Sequence, residues 1–121
     1  MAAILAVDDS ASIRQTVTIT LELAGHKVDQ ATNGKEGLTK AEASSFDLII
    51  TDLNMPNMDG LMMIRELRKN PAHAGVPILF LTTESDAGVK QQAKSAGATG
   101  WVTKPFSPEQ LTKVVEKVLA R

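Results

Sequence analysis

Apolar residues cluster along the chain in five short runs, each followed by a stretch in which they return every three or four positions. The runs are Ala3–Val7, Lys27–Ala31, 48–51, 78–81 and 99–102. Short apolar runs of this kind predict strands, the intervening spacing predicts helices, and their alternation predicts successive βαβ units. One helical face carries Ile13, Val17, Leu21 and Ala24, another Val89, Ala93 and Ala96, and the last Leu111, Val114, Val115, Val118 and Leu119. A second helix is expected over residues 34–44 and a third beginning at Asp59-Gly60, which makes five helices. Gly25 closes the first helix, Pro71 and Gly75 end the third, and Ser107-Pro108 starts the last, in keeping with Gly at helix ends and Pro in first turns. Leu48-Ile49-Ile50 and Ile78-Leu79-Phe80-Leu81 are apolar without alternation, as strands covered by helices on both faces require. A parallel sheet follows. Right-handed crossovers then bring every strand's carboxyl end to one edge, where ligands bind in sheets of this type.

Composition narrows the picture to one globular domain spanning residues 1–121. The chain is 43% hydrophobic and 22% charged, and shows no repeat or low-complexity tract. With 13 Lys+Arg against 14 Asp+Glu, its formal net charge of -1 gives no general attraction to nucleic acid or anionic lipid. The lack of cysteine removes disulfides, thiolate metal sites and thiol nucleophiles together. The apolar start, Ala2 to Val7, has no basic residue before it and meets Asp8 and Asp9 at once, so neither a signal peptide nor a membrane span is expected. The expectation is a cytoplasmic monomer.

The predicted strand ends carry complementary chemistry. Asp8 and Asp9 follow the first strand, Asp52 the third, Thr82 and Thr83 the fourth, and Lys104 lies just past the fifth. Any one of these has a plain structural explanation, since Asp9 or Ser10 serves equally well as the N-cap of the first helix. Together they point to a site. Three neighbouring carboxylates raise one another's pKa unless a cation compensates them. An all-oxygen donor set without His or Cys suits Mg2+ or Mn2+ rather than zinc. Lys104 and the Thr82 hydroxyl supply a point charge and a donor for phosphoryl oxygens. A carboxylate can itself accept the phosphoryl group, and Asp52, ending the central strand, is the best candidate.

Four segments carry a resemblance that runs the full length of the chain. They are Val7-Asp8-Asp9-Ser10, the stretch from Thr51-Asp52 to Asp59-Gly60, Leu81-Thr82-Thr83-Glu84, and the stretch from Gly97 to Lys104-Pro105-Phe106. In these the chain resembles the receiver domain of bacterial two-component response regulators, the single-domain chemotaxis members most of all. The resemblance implies a flavodoxin-like, doubly wound α/β fold with strand order 2-1-3-4-5. It implies that Asp52 accepts phosphate from a sensor histidine kinase, and that Asp9, Asp52 and the Asn54 carbonyl bind Mg2+ directly while Asp8 acts mainly through water. Thr82 would bond the phosphoryl group, Lys104 would contact one of its oxygens, and the Lys104-Pro105 peptide would be cis. Trp101 falls at the family's switch aromatic, although a lone Trp in a strand is also ordinary core packing. Asn54 and Glu84 fall where the family tunes hydrolysis of its phosphoaspartate.

The same resemblance implies an output surface on the fourth predicted helix, fifth strand and last helix, including Lys90, Lys94, Trp101, Phe106 and Lys117. Its implied partners are the kinase, the flagellar motor switch and a phosphatase that removes the phosphoryl group. A phosphate sink, a phosphorelay intermediate and a receiver from a larger regulator are alternatives. A separate class, the aspartyl phosphatases, shares the acceptor and Mg2+ but commonly has a second Asp where this chain has Asn54, and an amide cannot relay protons. The chain is therefore expected not to be an enzyme beyond assisting its own phosphorylation and dephosphorylation. A nucleotide or flavin binder lacks support, because no phosphate-cradling glycine loop follows the first strand.

Overall fold

The structure, a computed structural model, describes residues 2–52, 60–73, 75–82, 91, 94, 95 and 97–120. Five parallel strands form one sheet in the order β2-β1-β3-β4-β5: β1 (Ala3–Val7), β2 (Lys27–Ala31), β3 (Leu48–Asp52), β4 (Ile78–Thr82) and β5 (Gly100–Thr103). The four α-helices bounded among the described residues are α1 (Ala11–Leu23), α2 (Gly34–Ala43), α3 (Gly60–Arg68) and α4 (Pro108–Leu119). Five were expected. In the remaining one, Val89, Ala93 and Ala96 lie outside the described residues, while Gln91, Lys94 and Ser95 are helical. None of the helices described is long and apolar enough to cross a membrane.

The uniformly apolar strands sort their side chains by pleat. Ile4, Ala6, Leu48, Ile50, Leu79, Leu81 and Val102 turn to one face, where Val17 and Leu21 of α1 and Leu111, Val115 and Val118 of α4 cover them. Leu5, Val7, Ile49, Ile78 and Phe80 turn to the other, beneath Ala41 of α2 and Met63, Ile64 and Leu67 of α3. Both faces of β1, β3 and β4 are therefore buried, which explains their missing hydrophobic alternation. β2 and β5 form the edges and are more exposed.

Boundaries follow local chemistry closely. Ser10 caps α1, its side chain accepting the Ile13 N–H, and Gly25 leaves that helix with φ of 94°. Ser107 and Gln110 form a capping box on α4. The structure corrects three details of the expected pattern. Ala24 is the exposed C-cap of α1 and adds nothing to its buried face. β3 and β4 each run one residue further than expected, into Asp52 and Thr82, and β5 starts one residue later. Finally, α3 stops at Arg68, before the short 3-10 turn Pro71–His73. Arg68 there donates to the carbonyls of His73 at 3.0 Å and Gly97 at 2.8 Å, and burial draws its pKa below the usual guanidinium value.

Candidate functional site

Parallel register builds the site at the carboxyl edge of the sheet. Val7 pairs with Thr51, so Asp8 leaves β1 beside Asp52, the last residue of β3. Asp52 pairs in turn with Leu81, and Thr82 pairs with Thr103, immediately before Lys104. Four elements far apart in sequence thus deliver their polar ends to one edge. The carboxylates of Asp8, Asp9 and Asp52 lie within 4.8 Å of one another. The Lys104 Nζ donates to Asp8 Oδ2 at 3.0 Å and stands 3.4 Å from Asp52 Oδ1.

The three carboxylates are held very differently. Asp8 is only 2% exposed, and its two oxygens are engaged by the Ser10 N–H at 2.9 Å and by Lys104. Its own N–H donates to the Ala31 carbonyl at 3.1 Å, and its carbonyl accepts from Arg14 Nη1 at 2.6 Å. The Asp52 side chain is 14% exposed and so faces the opening from a strand buried on both sides. Asp9 is exposed.

Charge defines what such a cluster accepts. At separations below 5 Å two carboxylates repel by roughly 3.5 kcal/mol at an effective dielectric constant of about 20, less for the exposed Asp9. Among the described residues, Lys104 offsets one of the three formal charges and leaves two. An oxygen-only donor set with two residual negative charges fits a hard divalent cation. A phosphoryl group arriving at Asp52 would meet the Lys104 ammonium directly.

Thr82, at the end of β4, is 4% exposed, and its carbonyl accepts the Lys104 N–H at 2.8 Å. Phe80 pairs with Trp101 and Thr82 with Thr103, which puts Thr82 and Trp101 on the same face of the sheet. The indole is partly buried against the core under α2 and α3. It also lines a groove of about 680 Å³ with Lys94, Val114, Lys117 and Val118. Lys94 and Lys117 are exposed there, whereas Phe106, expected on the same surface, packs against the core under α1 and α4. The Lys104-Pro105 peptide is cis. Asn54, Glu84 and Lys90 lie outside the described residues.

Arg14 was not foreseen. Its sequence signal is a basic residue about one turn from the start of a helix, at the positive end of the helix dipole. Ser10 combines two roles that sequence alone left open, capping α1 through its hydroxyl and bonding Asp8 through its N–H.

Residues 4–116 match the family described as the response regulator receiver domain. The chain belongs to that family. It is 36% identical to the protein PilH of Pseudomonas aeruginosa over 120 residues, 99% of each chain. It is 36% identical to the transcriptional regulatory protein ResD of Bacillus subtilis over 98% of this chain, but it spans only 48% of ResD. Its fold matches the chemotaxis protein CheY4 of Vibrio cholerae with a TM-score of 0.94 and 49% identity, covering 98% of each chain. The chain is thus a receiver-type, CheY- and PilH-like member of the two-component systems. Receiver domains are phosphorylated by histidine kinases and generally bind Mg2+ at an acidic pocket.

Proposed function

We propose that this chain is a chemotaxis-type response regulator that accepts a phosphoryl group on Asp52 with Mg2+ bound, and that signals by phosphorylation-dependent protein binding. The observation that carries this reading is the Lys104 ammonium 3.0 Å from Asp8 and 3.4 Å from Asp52, beside a third carboxylate. The likeness to CheY4 and PilH along nearly the whole chain supports it.

In the transfer, a carboxylate oxygen of Asp52 attacks phosphorus in the phosphoimidazole of a sensor kinase. The new P–O bond replaces the P–N bond, and the departing imidazole nitrogen takes up a proton. Asp8, Asp9 and Asp52 would hold Mg2+, which when bound supplies positive charge for the non-bridging phosphoryl oxygens. Asp8 has both oxygens already engaged and is almost wholly buried, which suits an indirect part in that binding. Lys104 exchanges a carboxylate for a phosphoryl oxygen, and Thr82 offers its hydroxyl to another. Hydrolysis later breaks the bond between phosphorus and the Asp52 oxygen, releasing inorganic phosphate. No second substrate is transformed, so the chain signals rather than catalyses. The groove beside Trp101, rimmed by Lys94 and Lys117, is the proposed docking face for the motor switch and the kinase, with a phosphatase as a further partner.

Intact-mass spectrometry after incubation with acetyl phosphate tests the chemistry. A single phosphoryl adduct should form only with Mg2+ and vanish in Asp52→Asn. Equal labelling of Asp52→Asn would remove Asp52 from the mechanism. Pull-down of motor-switch protein with and without beryllofluoride, a phosphoryl mimic, tests the output.

A further inference from the structure

We infer that Arg14 is a positioning residue which aims the Asp9 carboxylate at the divalent-cation site without touching it; this rests on the metal-binding reading above. Asp9 is the exposed member of the carboxylate cluster, following a residue tied on every side. Asp8 is fixed by its N–H to Ala31, its side chain to Ser10 and Lys104, and its carbonyl to Arg14 at 2.6 Å. That carbonyl belongs to the same rigid peptide plane as the Asp9 nitrogen. Whatever holds the carbonyl therefore fixes the Asp9 N–Cα bond, and leaves only rotation about that bond and the side-chain torsions to set where the carboxylate points.

The guanidinium is itself held. Its Nε donates to Gln30 Oε1 at 3.3 Å, and Gln30 Nε2 donates to Thr18 Oγ1 at 2.9 Å. A chain of hydrogen bonds thus links α1 and β2 to the Asp8–Asp9 peptide. A planar fork can satisfy an amide oxygen and a backbone carbonyl at once, which an ammonium cannot do with the same geometry. Arg14 also stands at the positive end of the α1 dipole, an unfavourable place for a cation. Its presence there fits a task at the loop rather than support of the helix.

Positioning and simple electrostatics predict opposite signs. A fixed positive charge beside the site repels a divalent cation, so deleting it should tighten Mg2+ binding if charge is all that matters. If Arg14 aims Asp9, deleting it should weaken binding by about 10-fold, the low end of the effect of losing groups that orient metal ligands. The experiment measures Mg2+ affinity by calorimetry and by the Asp9 amide shift in NMR titrations. It uses the full chain as wild type, Arg14→Met, Arg14→Lys, Asp9→Asn and the double variant Asp9→Asn with Arg14→Met.

Arg14→Met should weaken Mg2+ binding, Arg14→Lys should recover only part of the loss, and the Asp9 amide should shift before any metal is added. The double variant should bind no more weakly than Asp9→Asn alone, because Arg14 has nothing left to aim. Tighter or unchanged binding by Arg14→Met overturns the inference, as does a double variant in which the two losses multiply. Should Arg14→Met fail to fold, Gln30→Ala carries the test by releasing the same guanidinium, with a smaller loss of the same sign expected and no loss counting against it. An absence of Mg2+ binding by wild type, or an Asp9→Asn variant of unaltered affinity, overturns the metal-site reading itself and the inference with it.

Discussion

Replacing Lys104 with Met removes the positive charge that, among the described residues, bridges Asp8 and Asp52, while keeping most of the side chain's apolar stem. The ammonium lies 3.0 Å from a carboxylate that is 2% exposed and 3.4 Å from one that is 14% exposed. Breaking a buried ion pair by deleting one partner costs about 3–5 kcal/mol. Two features lower that figure here: the site opens to solvent, and Asp8 keeps its bond from the Ser10 N–H. A loss of about 2–3 kcal/mol remains when the residual repulsion is discounted for solvent screening. For 121 residues, with an unfolding entropy near ~2.1 cal/mol/K per residue, each kcal/mol corresponds to about 4 °C. Metal-free Lys104→Met should therefore melt roughly 8–12 °C below wild type by circular dichroism. Millimolar Mg2+ should raise the melting point of the variant more than that of wild type, because ligand binding stabilises the folded state in proportion to affinity and the variant cluster carries one more uncompensated charge. A metal-free variant melting within about 2 °C of wild type would refute the claim that Lys104 compensates these carboxylates.

Lys104→Arg should still be phosphorylated by acetyl phosphate but lose much of its phosphorylation-dependent partner binding, since a guanidinium presents a fork where the site holds a point charge; a pull-down equal to wild type counts against this. Beryllofluoride with Mg2+ should shift the emission of Trp101, the sole tryptophan, to shorter wavelength as the indole becomes more buried. Thr82→Ala should weaken that shift without changing Mg2+ affinity, and an unchanged wild-type spectrum at confirmed occupancy of Asp52 would make Trp101 a packing residue. Gly97→Ala should destabilise in urea by about 1–3 kcal/mol more than Gly25→Ala. Both glycines have positive φ, but a Cβ at Gly97 falls 2.9 Å from Arg68 Nε whereas one at Gly25 meets nothing within 4 Å; equal losses would remove the Arg68 contact as the cause.

The strands were legible because burial on both faces leaves uninterrupted apolar runs such as Ile78-Leu79-Phe80-Leu81, and polar residues stand where those runs stop. The same contrast misplaced the ends of β3 and β4. Asp52 and Thr82 look like loop residues by polarity, yet their backbones still belong to the ladder beside Leu81 and Thr103. Ala24 illustrates the limit of helical periodicity: it continues the apolar spacing of α1, but the helix has already ended, so it packs nothing. The convergence of Asp8, Asp52, Thr82 and Lys104 could be read from strand-end placement alone. The partners of each could not: a basic residue in the early turns of α1 hints at Arg14, but its bond to the Asp8 carbonyl and the Gln30 contact behind it depend on backbone orientation, which no residue pattern specifies.

The placement of these residues in the sheet separates what must stay still from what can respond. Asp8 and Asp52 leave β1 and β3, which have neighbours on both sides and bury both faces. Lys104 follows β5, an edge strand laddered only to β4 and exposed at its last residue. The ammonium that compensates the central carboxylates therefore follows an edge strand, less enclosed by packing than β1 and β3. On the proposed function, a phosphoryl oxygen replacing Asp52 as partner to Lys104 would act on that edge, which the bond from the Lys104 N–H to the Thr82 carbonyl joins to the end of β4. Trp101 lies three residues before Lys104, within β5, half in the core and half in the groove rimmed by Lys94 and Lys117. The carboxylate cluster and the groove are thus joined by the short backbone stretch from Trp101 to Lys104, the end of an edge strand and the residue that follows it.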